Sequence, residues 1–232
     1  MGSGQSKTDR LEVQRHYKKS KYRKDVPDTT VEGLVVFIVC AADRESKAGM
    51  FSATRSHFID RGFLPDNIRR LHGVVPSRPR RGFNSEDMRK DRFLTPYFLR
   101  HFAPIAEEKL KEPGVEAVCW AEDDCRLKPD IFARDIKDAI RDAAPAASWL
   151  GYIKVHGAPR WGAHLIGFNG ASLQRFVEKG KEFYDETPHA LDTMLWKLLA
   201  SRQRGCAPHV TTPPETMATQ KLHSLKGRRL PA

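Results

Sequence analysis

The sequence predicts a three-layer α/β domain with a largely parallel central sheet. Three observations support this prediction. Apolar segments alternate with amphipathic helical segments, the apolar segments are continuous runs, and the 232 residues are enough for one sizeable core. A strand in a parallel sheet is covered by helices on both faces, so its sequence is an unbroken apolar run rather than an alternating one.

The first half of the chain predicts three strand–helix pairs. The strands are expected at residues 33–42, 68–74 and 115–125, and the helices at 43–63, 94–112 and 128–143. Gly62 ends the first helix, because glycine accepts the left-handed conformation found at helix ends. Thr95 caps the second helix and Pro96 is its first residue. The third helix is expected to begin at Pro129 or Asp130.

The second half predicts further strands and helices within the same domain. The strands are expected at 148–155 and 161–169, and the helices at 170–184 and 190–202. We expect one domain over residues 31–226. It is flanked by a basic segment, 1–30, which is poor in large aliphatic residues and expected to be disordered, and by a basic tail, 227–232.

The net charge of +11 and the pI near 9.6 point to a polyanionic partner. Basic residues cluster at 15–24, 69–83 and 226–229. A nucleotide diphosphate, a nucleic acid and an anionic membrane surface all fit this charge, and a solvated basic surface without a partner fits it too.

The N-terminal sequence and the cysteines indicate where in the cell the protein is expected. The first residues, MGSGQS, match the N-myristoylation pattern, which with a polybasic segment makes a two-signal membrane anchor; a cloning remnant is the alternative. The chain has no apolar run of the ~20 residues that a membrane span needs and no apolar signal core. Its four scattered cysteines fit reduced thiols, so we expect a cytoplasmic protein.

An acidic triplet follows the third strand in the segment CWAEDDCRL, residues 119–127. Alternate residues of a strand point to the same side, so Glu122 and Asp124 should project together and Asp123 should point to the opposite side. Paired carboxylates at a strand end are typical of a site for Mg²⁺ or Mn²⁺ that also binds substrate phosphates. An acidic turn that caps the following segment is the alternative.

Several segments, in order, resemble glycosyltransferase family 25, a group with the GT-A fold that includes lipopolysaccharide-modifying transferases and collagen galactosyltransferase domains. The EDD triplet resembles the Asp-x-Asp motif of GT-A enzymes. The other matching segments are VVFIVCAADRES, RRLHGVVP, LTP, WLGYIK, GAHLIGFNGASLQRFVE, ALDTML and PPETMATQKLHS, which together cover most of residues 33–226.

The resemblance implies transfer of a sugar from a nucleotide diphosphate sugar, most simply a UDP-sugar, with Mn²⁺ or Mg²⁺ as cofactor. Metal ligands would be Glu122, Asp124 and His223. Donor-binding residues would be Asp43, Arg44, Glu122 and Asp123; the alternative for Asp43 is an ordinary helix cap.

The resemblance also implies a catalytic base and leaves the acceptor open. Asp192 would take the proton from the acceptor hydroxyl of an inverting reaction, or else be a first-turn acid favoured by the helix dipole. Trp161 and His164 could line the acceptor pocket. The acceptor could be a glycan, a protein or a nucleic acid.

Two other functions fit the sequence less well. One is a catalytically inactive GT-A-like protein whose basic residues bind nucleic acid or another polyanion. The other is a metal-dependent nuclease with Lys154 beside the acids.

Overall fold

The computed structural model describes residues 30–41, 49–73, 97–155, 158–186, 191–200 and 209–220. Within these ranges the chain forms an eight-stranded sheet and five α-helices, which confirms the predicted α/β fold class. None of the helices described is both long and apolar enough to cross a membrane.

Strands and helices follow one another in nearly the predicted order. The strands are β1 Leu34–Ala41, β2 Ile68–Gly73, β3 Ala117–Glu122, β4 Cys125–Leu127, β5 Ala147–Val155, β6 Ala158–Phe168, β7 Val210–Thr211 and β8 Ala218–Gln220. The helices are α1 Met50–Asp60, α2 Ala103–Leu110, α3 Ala133–Ala143, α4 Gly170–Glu186 and α5 Leu191–Ala200. A π-helical segment, Phe98–Phe102, leads directly into α2.

The sheet has the order β2-β1-β3-β6-β5-β8-β4, and β7 pairs with β5. β1 is parallel to β2 and β3, and β5 is parallel to β7 and β8. β6 is antiparallel to both of its neighbours, β3 and β5. The short connection between Val155 and Ala158 explains this direction, because a parallel pair needs a long crossover and a hairpin does not.

Each face of the sheet is covered by its own hydrophobic core, which gives the three predicted layers. Alternate β1 residues contribute to opposite cores: Val35, Phe37 and Val39 to one, Leu34, Val36 and Ile38 to the other. The first core includes side chains of α2, α4 and α5, and the second includes side chains of α1 and α3. Burial on both faces explains the continuous apolar runs of the sequence.

Two predicted boundaries on either side of the acidic turn are wrong. The third strand ends at Glu122 and not at Cys125, because Asp123 and Asp124 form a turn. The third helix begins at Ala133, later than Pro129 or Asp130, because the Asp135 carboxylate accepts the N–H of Phe132 (2.8 Å) and caps the helix there. Thr95 and Pro96 lie outside the described residues.

The segment 209–220 contributes β7 and β8 to the sheet and was not predicted to contain strands. Met217 donates its N–H to the carbonyl of Leu150 (2.8 Å), and the Tyr152 hydroxyl donates to the carbonyl of Pro213 (2.8 Å). β8 then pairs with β4, with Gln220 in register with Cys125. The segment is thereby fixed beside the residue that follows the acidic turn.

Candidate functional site

The acidic triplet lies at the carboxyl end of β3, the edge of the sheet where α/β folds bind ligands. Glu122 is the last residue of the strand and is in register with Val39 of β1. Asp123 and Asp124 follow in the turn and are buried, with 2% and 5% of their surface exposed. Burying two carboxylates is costly unless polar groups compensate them, so the turn must be surrounded by such groups.

The imidazole of His164 is the polar partner of Glu122. β3 and β6 are antiparallel, with Ala121 in register with Leu165, so the next residues along, Glu122 and His164, are neighbours across the two strands. The Nδ1–H of His164 donates to Oε2 of Glu122 at 2.6 Å. The His164 side chain is 4% exposed and that of Glu122 20% exposed, so Glu122 retains access to solvent.

Three carboxylates act on His164. Burial lowers the pKa of His164, but the hydrogen bond to Glu122 and the negative charges of Glu122, Asp124 and Asp192 outweigh burial and raise it above its ordinary value. Glu122 and Asp124 come from the end of β3, whereas Asp192 comes from the start of α5. Three of the predicted site residues therefore act electrostatically on one buried imidazole, and Glu122 contacts it directly.

Asp192 is half-buried in the first turn of α5 and binds β6. Its Oδ2 accepts the N–H of Gly162 at 3.2 Å, and its Oδ1 accepts the N–H of Thr193 at 2.7 Å. The second bond is the contact expected of a first-turn acid. The first contact is with the same strand that carries His164.

Asp123 contacts a different set of residues. The thiol of Cys40, near the end of β1, hydrogen-bonds to its carboxylate; burial, this bond and the charge of Asp123 raise the pKa of Cys40 to about 12. The hydroxyl of Thr54 in α1 donates to the backbone carbonyl of Asp123. Asp123 thus connects the turn to β1 and α1, while Glu122 faces His164.

α1 also fixes β4 through a neutral histidine. Nε2 of His57 accepts the N–H of Leu127 at 2.9 Å. Burial lowers the pKa of His57 to about 4, and the positive charges of Arg126 and Arg61 contribute to the shift. Because protonation removes the acceptor, this contact requires the neutral imidazole.

The free energy of unfolding should therefore fall as the pH drops from about 6.5 to about 4. In that window the unfolded state binds a proton at His57 and the folded state does not, so acid favours unfolding, by up to about 3 kcal/mol. Urea unfolding across this range should show the loss in wild type. His57→Gln, whose amide oxygen can accept the same N–H, should remove most of it, whereas His101→Gln at an exposed position should not. An unchanged pH dependence in His57→Gln would assign the effect to other groups.

Other predicted site residues lie outside the described residues or make structural contacts. Asp43, Arg44 and His223 fall outside the described ranges. Lys154, which the nuclease interpretation placed beside the acids, donates to the Pro214 carbonyl (2.9 Å) and to Glu215 (2.8 Å). Within the described residues, no three Asp, Glu, His or Cys side chains form a ready-made metal site.

The role of His164 as the partner of Glu122 could not be read from the sequence. The two residues are 42 positions apart, and only the antiparallel pairing of β3 and β6 makes them neighbours. A sequence pattern that fixed the direction of β6 would have predicted the contact between His164 and Glu122. The hairpin connection between β5 and β6 is the one local signal for that direction.

The overall structure is similar to the crystal structure of a glycosyltransferase involved in the glycosylation of the major capsid of PBCV-1. The TM-score is 0.53 at 8% sequence identity, and the match covers 83% of this chain and 94% of that one. The chain shares the fold of that protein. At this identity the similarity establishes the fold and not the reaction.

The other comparisons do not assign the chain to a family. The mannosyltransferase PcManGT from Pyrobaculum calidifontis, solved in complex with GDP-Man and Mn²⁺, matches with a TM-score of 0.39 and 15% identity, over 94% of this chain and 65% of that one. No protein-family model and no curated protein matches the sequence. The resemblance to family 25 therefore stays a prediction.

Proposed function

We propose that this protein is a metal-dependent glycosyltransferase that moves a sugar from a nucleotide diphosphate sugar to an acceptor hydroxyl with inversion. The observation that carries the proposal is a set of contacts at the carboxyl end of the sheet. His164 binds Glu122, which Asp124 follows by two residues, and Asp192 binds Gly162, two residues before His164. The similarity of the fold to that of a glycosyltransferase, over most of the chain, also supports the proposal.

Glu122 and Asp124 would hold the divalent cation. Carboxylate oxygens are the ligands that Mg²⁺ and Mn²⁺ prefer, and such ions are often held by one or two carboxylates together with substrate phosphates. The donor set of the turn fits this pattern, since Glu122 is partly exposed and Asp124 follows it closely. A bound cation supplies positive charge that stabilises the leaving nucleotide diphosphate.

His223 would be a further metal ligand, as the resemblance to family 25 implies. Gln220 is in register with Cys125, the residue directly after Asp124. His223 follows Gln220 by three positions in the sequence. Asp43 and Arg44, which follow β1 in the sequence, would bind the nucleotide.

Asp192 would act as the base. In an inverting transfer the acceptor oxygen attacks the anomeric carbon as the bond to the diphosphate breaks, and a carboxylate takes the proton of the acceptor hydroxyl. The N–H groups of Gly162 and Thr193 fix the orientation of the Asp192 carboxylate. The other half of the site, at Glu122 and Asp124, would hold the donor.

Thermal unfolding with Mn²⁺ and a panel of UDP- and GDP-sugars tests this function. A bound donor at 100 times its Kd should stabilise wild type by about 2.7 kcal/mol. Asp124→Asn should lose this Mn²⁺-dependent stabilisation, and His223→Ala should weaken it, because each change removes a metal ligand. Asp142→Asn, at the exposed end of α3, should respond like wild type.

Two outcomes of this experiment would contradict the proposed function. If no donor stabilises wild type more than Asp124→Asn, the protein is not a transferase of this kind. Tight and steeply salt-dependent binding of DNA or RNA without donor binding would favour the inactive polyanion-binding protein instead.

A further inference from the structure

We propose that one bend of β6, the segment Gly162–His164, positions both proposed functional carboxylates. His164 orients the metal-binding carboxylate of Glu122, and the N–H of Gly162 orients the base, Asp192. This inference rests on the proposed function for the roles of the two carboxylates. The contacts that carry it are independent of those roles.

His164 is held in a single orientation. On one side of the ring Nδ1 donates to Glu122 at 2.6 Å. On the other side Nε2 is buried and has no hydrogen-bond partner among the described residues. That side of the ring packs directly against the α-carbon of Gly162, where an added Cβ would overlap Nε2, Cε1 and Cδ2. Because Nε2 is enclosed in this way, His164 acts through Glu122 as a positioning residue rather than as a metal ligand.

Gly162 makes the bend possible and connects it to Asp192. Its φ of +84° lies in the left-handed region that side chains disfavour, and its missing Cβ leaves the space that the imidazole fills. Its N–H donates to Oδ2 of Asp192 at 3.2 Å. Gly162 thus packs against the His164 imidazole on one side and binds the Asp192 carboxylate on the other.

The bend is itself anchored in the core. The indole N–H of Trp149, a fully buried residue of β5, donates to the Gly162 carbonyl at 2.9 Å and to the Gly151 carbonyl at 3.1 Å. Packing fixes the indole and therefore the bend. The separation of Glu122 and Asp192 is consequently set by a rigid part of the sheet and not by a loop, as precise placement of reacting groups requires.

Two nearly isosteric variants of His164 separate positioning from packing. In His164→Asn the side-chain amide nitrogen takes the place of Nδ1 and can donate to Glu122, whereas in His164→Gln it extends toward the place of Nε2. We expect His164→Gln to weaken Mn²⁺ binding 10- to 100-fold, as loss of a partner of a metal ligand does. His164→Asn should stay within about threefold of wild type.

Mn²⁺ binding in the presence of UDP, followed by thermal shift, is the measurement, since it does not depend on turnover. A cooperative melt without Mn²⁺ shows that each variant is folded. Equal losses in the two variants, or unchanged affinity in His164→Gln, would overturn the positioning role.

A metal-free measurement separates this inference from the proposed function. If wild type binds neither Mn²⁺ nor donors, the proposed function is wrong, and NMR decides the positioning role alone. Glu122→Gln should then shift the His164 imidazole ¹⁵N resonances, and Asp192→Ala should shift the Gly162 amide resonance. If neither shift exceeds that caused by Asp142→Asn, the bend does not hold the carboxylates.

Discussion

Asp192→Asn should slow sugar transfer by a factor of 10² to 10⁴, the contribution of a general base. The asparagine oxygen can still accept the N–H of Gly162, so the start of α5 should keep its place beside β6. Its amide cannot take the proton of the acceptor hydroxyl. The rate of transfer should therefore fall while Mn²⁺-dependent stabilisation by the donor is retained. Steady-state kinetics and thermal shift with the same donor measure the two effects.

Asp142→Asn is the matched control, because it makes the same chemical change at an exposed position in the last turn of α3. It should leave both measurements unchanged. A loss of less than tenfold in Asp192→Asn would assign the base to another residue. Equal losses of donor binding and of rate would make Asp192 a residue that holds the fold of the site.

Trp120→Ala should lower the free energy of unfolding by about 3–5 kcal/mol. Trp120 of β3 is fully buried, and its ring lies 5.3 to 6.2 Å, centroid to centroid, from the rings of Tyr97, Phe98 and Phe102. Removing the indole leaves a cavity at the centre of this aromatic cluster. Trp120→Phe should cost much less, because it keeps most of the ring contacts and because Nε1 of Trp120 has no hydrogen-bond partner among the described residues.

Urea unfolding of these variants measures both costs. Ile105→Ala in α2 is the control, since Ile105 is 44% exposed and its replacement should change the free energy of unfolding by no more than about 0.5 kcal/mol. A cost below about 1 kcal/mol for Trp120→Ala would mean that the cluster collapses around the lost ring or packs more loosely than the structure describes.

The layers of the fold could be predicted because burial leaves a strong local pattern. β1 is apolar on both faces since each face contacts a separate core, and its bounds follow the apolar run of the sequence. α4 begins at Gly170 as predicted, because Asn169 and Ser172 hydrogen-bond to each other's backbone at its start. Such signals lie within a few residues of the element that they define.

The edges of the fold could not be predicted, since they depend on partners that are distant in the sequence. β3 ends at Glu122, and after the turn β4 pairs with β8, a contact that no local pattern encodes. β7 and β8 contain two and three residues, too few to show any period.

The candidate site was predicted in part for the same reason. The acids at the strand end, Glu122 and Asp124, are visible locally, whereas Asp192 was predicted from the resemblance to family 25. The sequence-based prediction placed His164 at the acceptor pocket, and did not indicate that His164 binds Glu122 or that Gly162 makes room for its ring. Those facts follow from the direction of β6.

The pairing of β4 with β8 also fixes the order in which the site can form. Among the described strands β4 has no other partner, and β8 is the last strand described in the chain. During synthesis the acids of the turn leave the ribosome long before the strand that holds β4. Contacts between distant segments form late because closing a long loop costs chain entropy. The acidic turn should therefore be among the last parts of the molecule to gain protection from hydrogen exchange during refolding.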